Sequence, residues 1–342
     1  MAEDSQTRPN KRSDRCALVT GGAGFIGSYL VEHLLRDGTS VTVIDNLSTG
    51  RIENLAAVID SIEFIEADVD KGLEELASHS GFDEIYHLAA AVGVELVLND
   101  PINSIKTNIH QTDAVFEYAR SHGKPPTLIA SSSEVYGKPG TSVFSEDDDL
   151  LFGPTTMTRW SYAHAKAIDE HLALAYWNQH GLPTVICRFF NTVGPRQVGT
   201  HGMVLPRFVA AALKNEPISV FGDGTQSRCF CDGRDVIEVL PRMLRSQACH
   251  GRVFNVGSDH PISILKLAQQ VINTLGSTSI IKLIPYHDAY GPGFEDLHHR
   301  KPDLDRVRQA VGFDPKFTLT QTIQDLAEEI AHGNSLPTKG GA

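Results

Sequence analysis

The segment Gly21-Gly-Ala-Gly-Phe-Ile-Gly27 constrains this chain more than any other stretch. It follows the apolar run Cys16-Ala-Leu-Val-Thr20 and opens a segment, Phe25 to Leu35, whose apolar residues recur at helical spacing. Gly38 closes that helix, and Val41-Thr-Val-Ile-Asp45 reads as a second strand. The result is a β-α-β unit of about thirty residues, which requires parallel strands. Gly21 permits a tight turn off the first strand, Gly24 lets backbone approach a phosphate, and Gly27 lets the helix sit close to the sheet. The free N–H groups at the helix start favour an anion there. The spacing is GxxGxxG rather than GxGxxG, so the flanking strand, helix and acid carry as much weight as the glycines.

That acid is Asp45, at the end of the second strand. A carboxylate there accepts hydrogen bonds from a ribose diol and repels a 2′-phosphate, which favours NAD over NADP. The alternative is a turn residue capping the next segment. Asp68 follows a third strand and either accepts from an adenine amino group or ends that strand in a plain turn.

The strand-helix alternation continues. Ile62–Glu66, Glu84–Ala89, Thr127–Ser131 and Thr184–Arg188 read as parallel strands. Helices are expected near Leu73–His79, Ile102–His122 and Tyr162–His180. The fold class is therefore α/β, a Rossmann-type doubly wound parallel sheet with a smaller C-terminal α/β substrate lobe. Beyond Asn191, prolines and glycines break the rhythm; Val253–Val256 reads as a late strand, and Leu265–Leu275 and Thr320–His332 as helices of the second lobe. The expected division is residues 15–195 as the NAD-binding domain with a returning segment near 228–257, and 196–227 and 258–333 as the substrate lobe. Residues 1–14 are expected to be a disordered tail and 334–342 a frayed one.

At 342 residues the chain is long enough for a substantial core, and 41% apolar with 21% charged residues is ordinary globular composition. A formal net charge of −12 speaks against a nucleic-acid partner. No apolar run approaches the roughly 20 residues of a membrane helix, so no membrane partner is expected. Five irregularly spaced cysteines, Cys16, Cys187, Cys229, Cys231 and Cys249, imply no disulfide framework and fit a reducing cytoplasm. Cys229 and Cys231 would share one face of a strand, but a CxC without a second pair is weak, and no metal is expected.

Tyr162-Ala-His-Ala-Lys166 places a phenol and an ammonium four apart on one helix face. A neighbouring cation lowers a phenol's pKa, and a phenolate takes the proton of a sugar hydroxyl while hydride leaves for NAD. On the surface the same spacing is an ordinary pair. Ser131-Ser-Ser-Glu-Val-Tyr-Gly137 follows a strand directly, at the sheet end where ligands bind. Ser133 is the expected partner of the same hydroxyl and Glu134 a charge on the cleft floor; the plainer reading is a turn of small polar residues.

These motifs in this order resemble the extended branch of the short-chain dehydrogenase/reductase superfamily, which comprises nucleotide-sugar epimerases, dehydratases and decarboxylases. Arg188-Phe-Phe-Asn-Thr-Val-Gly-Pro-Arg196, Phe221-Gly-Asp-Gly-Thr-Gln-Ser-Arg228 and Asn255-Val-Gly257 extend the resemblance over about residues 15 to 331. Within the branch, Ser133-Glu134, Gly153 to Tyr162, and Tyr290 to Asp303 are similar to UDP-glucuronate decarboxylases and to UDP-apiose/xylose synthase. The loop Ala91-Val-Gly-Val-Glu-Leu-Val97 lacks their usual Pro and Tyr, and Cys231-Asp-Gly-Arg-Asp235 replaces a more usual aromatic-Val-Asp-Asp run.

The resemblance implies a tightly bound, recycled NAD contacted by Gly21, Gly24, Phe25, Ile26, Gly27, Asp45, Asn46, Ser48, Gly50, Asp68, Val69, Leu88, Ala89, Ala90, Asn108, Tyr162 and Lys166. It implies catalysis by Tyr162, Lys166, Ser133, Glu134 and Arg300, with Arg300 facing a sugar carboxylate. A UDP-sugar would be bound by Glu134, Asn191, Arg196, Phe221, Arg228 and Arg300, with core packing the alternative for Phe221. The chemistry would run through a 4-keto sugar, whose carbonyl, β to a carboxylate, promotes loss of CO₂. A UDP-sugar 4-epimerase and a non-catalytic NAD-binding sensor are the alternatives; Ser at 133 argues against a 4,6-dehydratase. A homodimer through the two helices near 102–122 and 162–180 is expected from the resemblance.

Overall fold

A computed structural model describes residues 15–91, 100–138, 140–197, 203–290 and 299–333. Both expected tails, nearly all of the loop Ala91–Val97 and the segment 291–298 lie outside the described residues.

Seven strands form the central sheet: β1 (Cys16–Thr20), β2 (Ser40–Asp45), β3 (Glu63–Glu66), β4 (Glu84–His87), β5 (Thr127–Ser132), β6 (Thr184–Phe189) and β7 (Arg252–Val256). Their order is β7-β6-β5-β4-β1-β2-β3, and every pairing is parallel. The strands are apolar on both faces because helices cover both. In β1, Ala17 and Val19 join one core while Leu18 joins the other, as the two-residue period of a strand demands. On the first side lie α1 (Phe25–Arg36) and, further along the chain, Gly233–Leu244; on the second lie α2 (Val69–Glu75), α3 (Pro101–Ser121) and α4 (Trp160–His180).

After β3 the chain returns to lay β4 on the other side of β1. The β1 and β4 loops therefore part at this switch point, where a cleft opens at the carboxyl ends of the strands. The helix starts follow local chemistry. The Asp100 carboxylate accepts from the Asn103 N–H at 3.2 Å and Pro101 takes the first turn, so α3 begins there. The helix expected near Leu73–His79 instead spans Val69–Glu75 and tightens into a 3₁₀ turn at Leu76–Ser78.

The second lobe is built on α5 (Val204–Leu213), α7 (Ile264–Leu275) and α9 (Leu319–Ala331), with α6 being Gly233–Leu244 and α8 Asp305–Val311. Leu205, Phe208, Leu267, Val271, Ile323 and Leu326 form its core. A small sheet runs through Pro261–Ser263, Ser227–Cys229, His299–Pro302 and Val143–Phe144, and in it Arg228 stands directly opposite Arg300. Cys229 and Cys231 do not share a strand face, because the chain passes at Phe230 from that sheet to a separate two-stranded one. Both thiols are buried, and burial pushes that of Cys229 up to about 12. No described helix is long and apolar enough to cross a membrane.

Candidate active site

A cleft of about 1260 Å³ runs from the glycine turn to the second lobe. At one end the turn leaves β1 with Gly21 at φ +73°, and a Cβ there would lie 2.6 Å from the Ala89 nitrogen of the β4 loop. A Cβ on Gly27 would lie 2.1 Å from the Gly21 carbonyl, so α1 can approach the turn only without one. Gly24 is different: its Cβ would meet only the Gly21 oxygen, at 3.2 Å, and the rest of its surroundings is open cleft. No side chain caps α1, whose first N–H groups face this space. An open cradle before an uncapped helix start, with an acid at the end of the next strand, fits the pyrophosphate and ribose of NAD.

Asp45 lies at that strand end, its carboxylate accepting from Ala23 N–H at 2.9 Å and Leu47 N–H at 2.8 Å. Burial pushes its pKa up, and those two backbone bonds oppose the shift. Asn46 donates to Asp68 at 2.6 Å, and both line the cleft with Ser48, Gly50 and Val69. Phe25, Ile26, Leu88, Ala89 and Ala90 line it as well. Asn108 does not appear in the lining. Its amide is turned onto Ala91, accepting from the Ala91 N–H at 3.2 Å and donating to the Ser104 carbonyl at 2.7 Å, so it holds the β4 loop rather than facing a cofactor.

The catalytic candidates meet at the middle of the cleft. β5 ends in a serine triplet whose members do different things. Ser131 donates to Glu170 at 2.5 Å, and Arg188 clamps the same carboxylate at 2.9 and 2.7 Å, which fixes the strand end. Ser132 accepts from the Glu134 N–H at 3.2 Å and stands near Tyr162, where the sequence pointed to Ser133. Ser133 is buried and lines the cleft beside Glu134, in the 3₁₀ turn Ser133–Tyr136.

Tyr162 and Lys166 both line the cleft from α4. The expected effect of the lysine on the phenol is not what dominates. Burial, then the charges of Glu134 and Asp169, hold the Tyr162 hydroxyl well above its ordinary value, and the neighbouring Ser132 side chain opposes them. Lys166 directs its ammonium to Asp169, 3.1 Å away.

Glu134 is gripped from two sides, by Arg300 at 2.5 Å and by Arg159 at 3.4 Å. Arg228 and Arg300, opposite each other on adjacent strands, both line the cleft and are nearly fully buried. Two like charges so placed repel and require anions nearby. Asn191 and Phe221 also line the cleft, and the Phe221 ring carries the Arg207 guanidinium 4.1 Å from its centroid. Arg196 reaches the cleft but is engaged: it donates to Glu32 at 2.6 Å and lies 4.2 Å over the Tyr29 ring. Arg159, Ser132 and Asp169 were not anticipated. The basic residue three before Tyr162 and the acid three after Lys166 were visible signals, since i,i+3 places each on the same helix face.

A Rossmann sheet that offers an open phosphate turn at one end of a cleft, with a tyrosine, lysine and serine at its middle, defines an NAD-dependent enzyme. The chain belongs to the NAD dependent epimerase/dehydratase family, whose sequence profile matches residues 17–257. It is 39% identical over 91% of its length to the UDP-N-acetyl-alpha-D-glucosaminuronate decarboxylase of Bacillus cytotoxicus, covering 96% of that protein. It is 34% identical over 94% of its length to UDP-glucuronic acid decarboxylase 2 of Arabidopsis thaliana, covering 69% of it. The crystal structure of UDP-glucuronic acid 4-epimerase from Bacillus cereus with UDP-glucuronic acid and NAD superposes with a TM-score of 0.80 at 28% identity, over 93% of this chain and 99% of that one.

Proposed function

We propose that the chain is an NAD-dependent decarboxylase of UDP-activated uronic acids. The observation that carries this reading is the Arg300–Glu134 pair, 2.5 Å apart in the cleft that also holds Tyr162. A buried guanidinium in the cleft that also holds the phenol suits a sugar carboxylate better than a neutral hexose. The named relatives support the substrate class: they act on uronates with a 2-acetamido or a 2-hydroxyl group.

Bound NAD supplies oxidation and re-reduction at the sugar's C4 and is held by the glycine turn, Asp45 and the β4 loop. Tyr162 takes the 4-hydroxyl proton, with Ser132 and Ser133 positioning the hydroxyl and Lys166 holding a cation in the site. The resulting ketone lies β to the carboxylate, so the C–CO₂ bond breaks with its electron pair passing to the carbonyl. Arg300 orients the departing carboxylate, and Glu134 is placed to manage the proton that replaces it. Arg228 and Asn191 face the diphosphate, with Phe221 beside the base.

The division into an NAD-binding domain of residues 15–195, with the return near 228–257, and a substrate lobe is part of the proposal, as is a homodimer. Ile105 and Ile168 stand exposed on α3 and α4, beside a hollow of about 280 Å³ that Trp160 and Met157 also line, a face suited to the same face of a second copy.

The test is incubation of purified protein with UDP-glucuronate and with UDP-N-acetylglucosaminuronate, followed by mass spectrometry and proton NMR. A product lighter by one CO₂ is expected. A product of unchanged mass with an inverted C4 hydroxyl overturns the reading in favour of 4-epimerisation.

A further inference from the structure

Each side of α3 has a different neighbour. Phe116 stacks on Tyr176 of α4 with the ring centroids 5.0 Å apart, and Asp113 accepts from the Tyr176 hydroxyl at 3.2 Å. Thr112 faces the sheet, 3.2 Å from His87 Nε2. Tyr118 faces the α2 side: its hydroxyl donates to the Leu76 carbonyl at 3.4 Å. His122, just past the helix, sets its Nε2 3.3 Å from the Ala77 carbonyl oxygen. Gln111 stands seven residues before Tyr118, two turns back along the same side. α2 and α3 follow strands of one parallel sheet and run in the same direction. Seven residues before Leu76 is Val69, the first residue of α2. Gln111 is therefore level with Val69 and with Asp68, which precedes it.

All three line the cleft. Gln111 is only 9% exposed, yet among the described residues no hydrogen bond engages its side-chain amide. A shielded amide without a partner is costly, so its partner is what the cleft holds at this point. The order of the sheet says which part of NAD that is. The glycine turn takes the pyrophosphate, and Asp45 at the end of β2 takes the ribose. Past β2 comes β3, the edge of the sheet, with Asp68 just beyond its end. The base lies past the ribose in that direction. Tyr162 and Lys166 come from α4, which packs over β5 and β6 across the switch point, so the nicotinamide lies the other way.

An amide matches the edge of adenine: its carbonyl accepts from the 6-amino group while its NH₂ donates to N7. A carboxylate only accepts, and the Asp68 carboxylate is itself held by Asn46 at 2.6 Å. We propose that Gln111 reads the adenine of NAD, accepting from the 6-amino group and donating to N7, with Asp68 taking the second amino hydrogen.

The experiment is exchange of the cofactor on purified wild type, Gln111→Leu and Gln111→Glu. Each is equilibrated with equal mixtures of NAD and one analogue, in which either adenine N7 is replaced by CH or the 6-amino group by a carbonyl oxygen. The nucleotides that stay bound through gel filtration are quantified by mass spectrometry. Wild type is expected to carry about five- to tenfold more NAD than either analogue. Gln111→Leu should take NAD and the N7 analogue within about twofold of each other, and keep part of its preference for the amino group through Asp68. Gln111→Glu accepts but does not donate, so it should lose the N7 preference and keep the amino one. An unchanged N7 ratio in Gln111→Leu overturns the assignment, as does a wild type that does not distinguish the N7 analogue. Weaker retention of every nucleotide with wild-type ratios marks a packing role and overturns it too. The ratios do not depend on which sugar the enzyme takes, so failure of the decarboxylase reading leaves them standing.

Discussion

The Lys166 ammonium and the Asp169 carboxylate lie 3.1 Å apart on α4, both almost completely shielded from solvent. The pair lies beside a buried polar chain. In it Thr112 Oγ1 lies 3.2 Å from His87 Nε2, and His87 Nδ1 lies 2.7 Å from the Thr20 hydroxyl at the end of β1. That chain ties α3 and β4 to the strand that launches the glycine turn. Asp169→Asn removes the charge that balances a buried ammonium, and breaking such a pair costs about 3–5 kcal/mol. Chemical denaturation should show that loss; a midpoint equal to wild type would mean the pair does not hold this region together.

Tyr162→Phe removes the hydroxyl proposed to take the sugar proton and keeps the ring that packs in α4. Turnover should fall by about 10²- to 10⁴-fold, while NAD stays bound. Single-turnover mass analysis together with the amount of NAD retained after purification reads both. Near-normal turnover would assign the proton transfer to another group.

Gly27→Ala sets a Cβ 2.1 Å from the Gly21 carbonyl, a backbone atom that cannot swing aside. The helix must move off the turn, and NAD retention should be lost even where the protein still folds by circular dichroism. Gly140, where a Cβ meets nothing within 4 Å, is the control. An alanine at 27 that keeps NAD would remove the close-approach argument.

His87 is held neutral: burial first, then the Lys166 charge, lower its pKa from 6.5 to about 3. The unfolded chain binds a proton below about pH 6.5 and the folded one does not until near pH 3. This contribution to stability is therefore complete above pH 6.5 and declines as pH falls toward 3. Between pH 7 and pH 5 the loss is about 2 kcal/mol. Urea titrations at both pH values should show that decrement in wild type and a smaller one in His87→Gln; equal decrements would place the acid sensitivity elsewhere.

Ile168 is 43% exposed and Ile105 37% exposed on the face proposed to meet a second copy. Ile168→Glu buries a charge in that contact and should convert a dimer to a monomer in sedimentation velocity at micromolar concentration. An unchanged sedimentation coefficient would put the interface on another face.

Local patterns in the sequence determined the class of fold and half of the site. Three glycines between a strand and a helix, an acid on the next strand, and a tyrosine four residues before a lysine each act within one turn or one β-α-β unit. Chain-neighbour geometry is enough to place them. The central sheet follows from strands apolar on both faces, because only a parallel sheet covered twice buries them. The tertiary structure decided whatever depends on how distant elements rotate against each other. Ser131 of the serine triplet meets Glu170 only because β5 packs against α4. Asn108 holds the β4 loop because α3 packs that face inward. Arg196 is claimed by Glu32 of α1, and Arg228 meets Arg300 only through the register of two strands about seventy residues apart. Residue spacing carries the geometry of one element; the direction a side chain takes across a cleft is fixed only once the elements on both walls have packed.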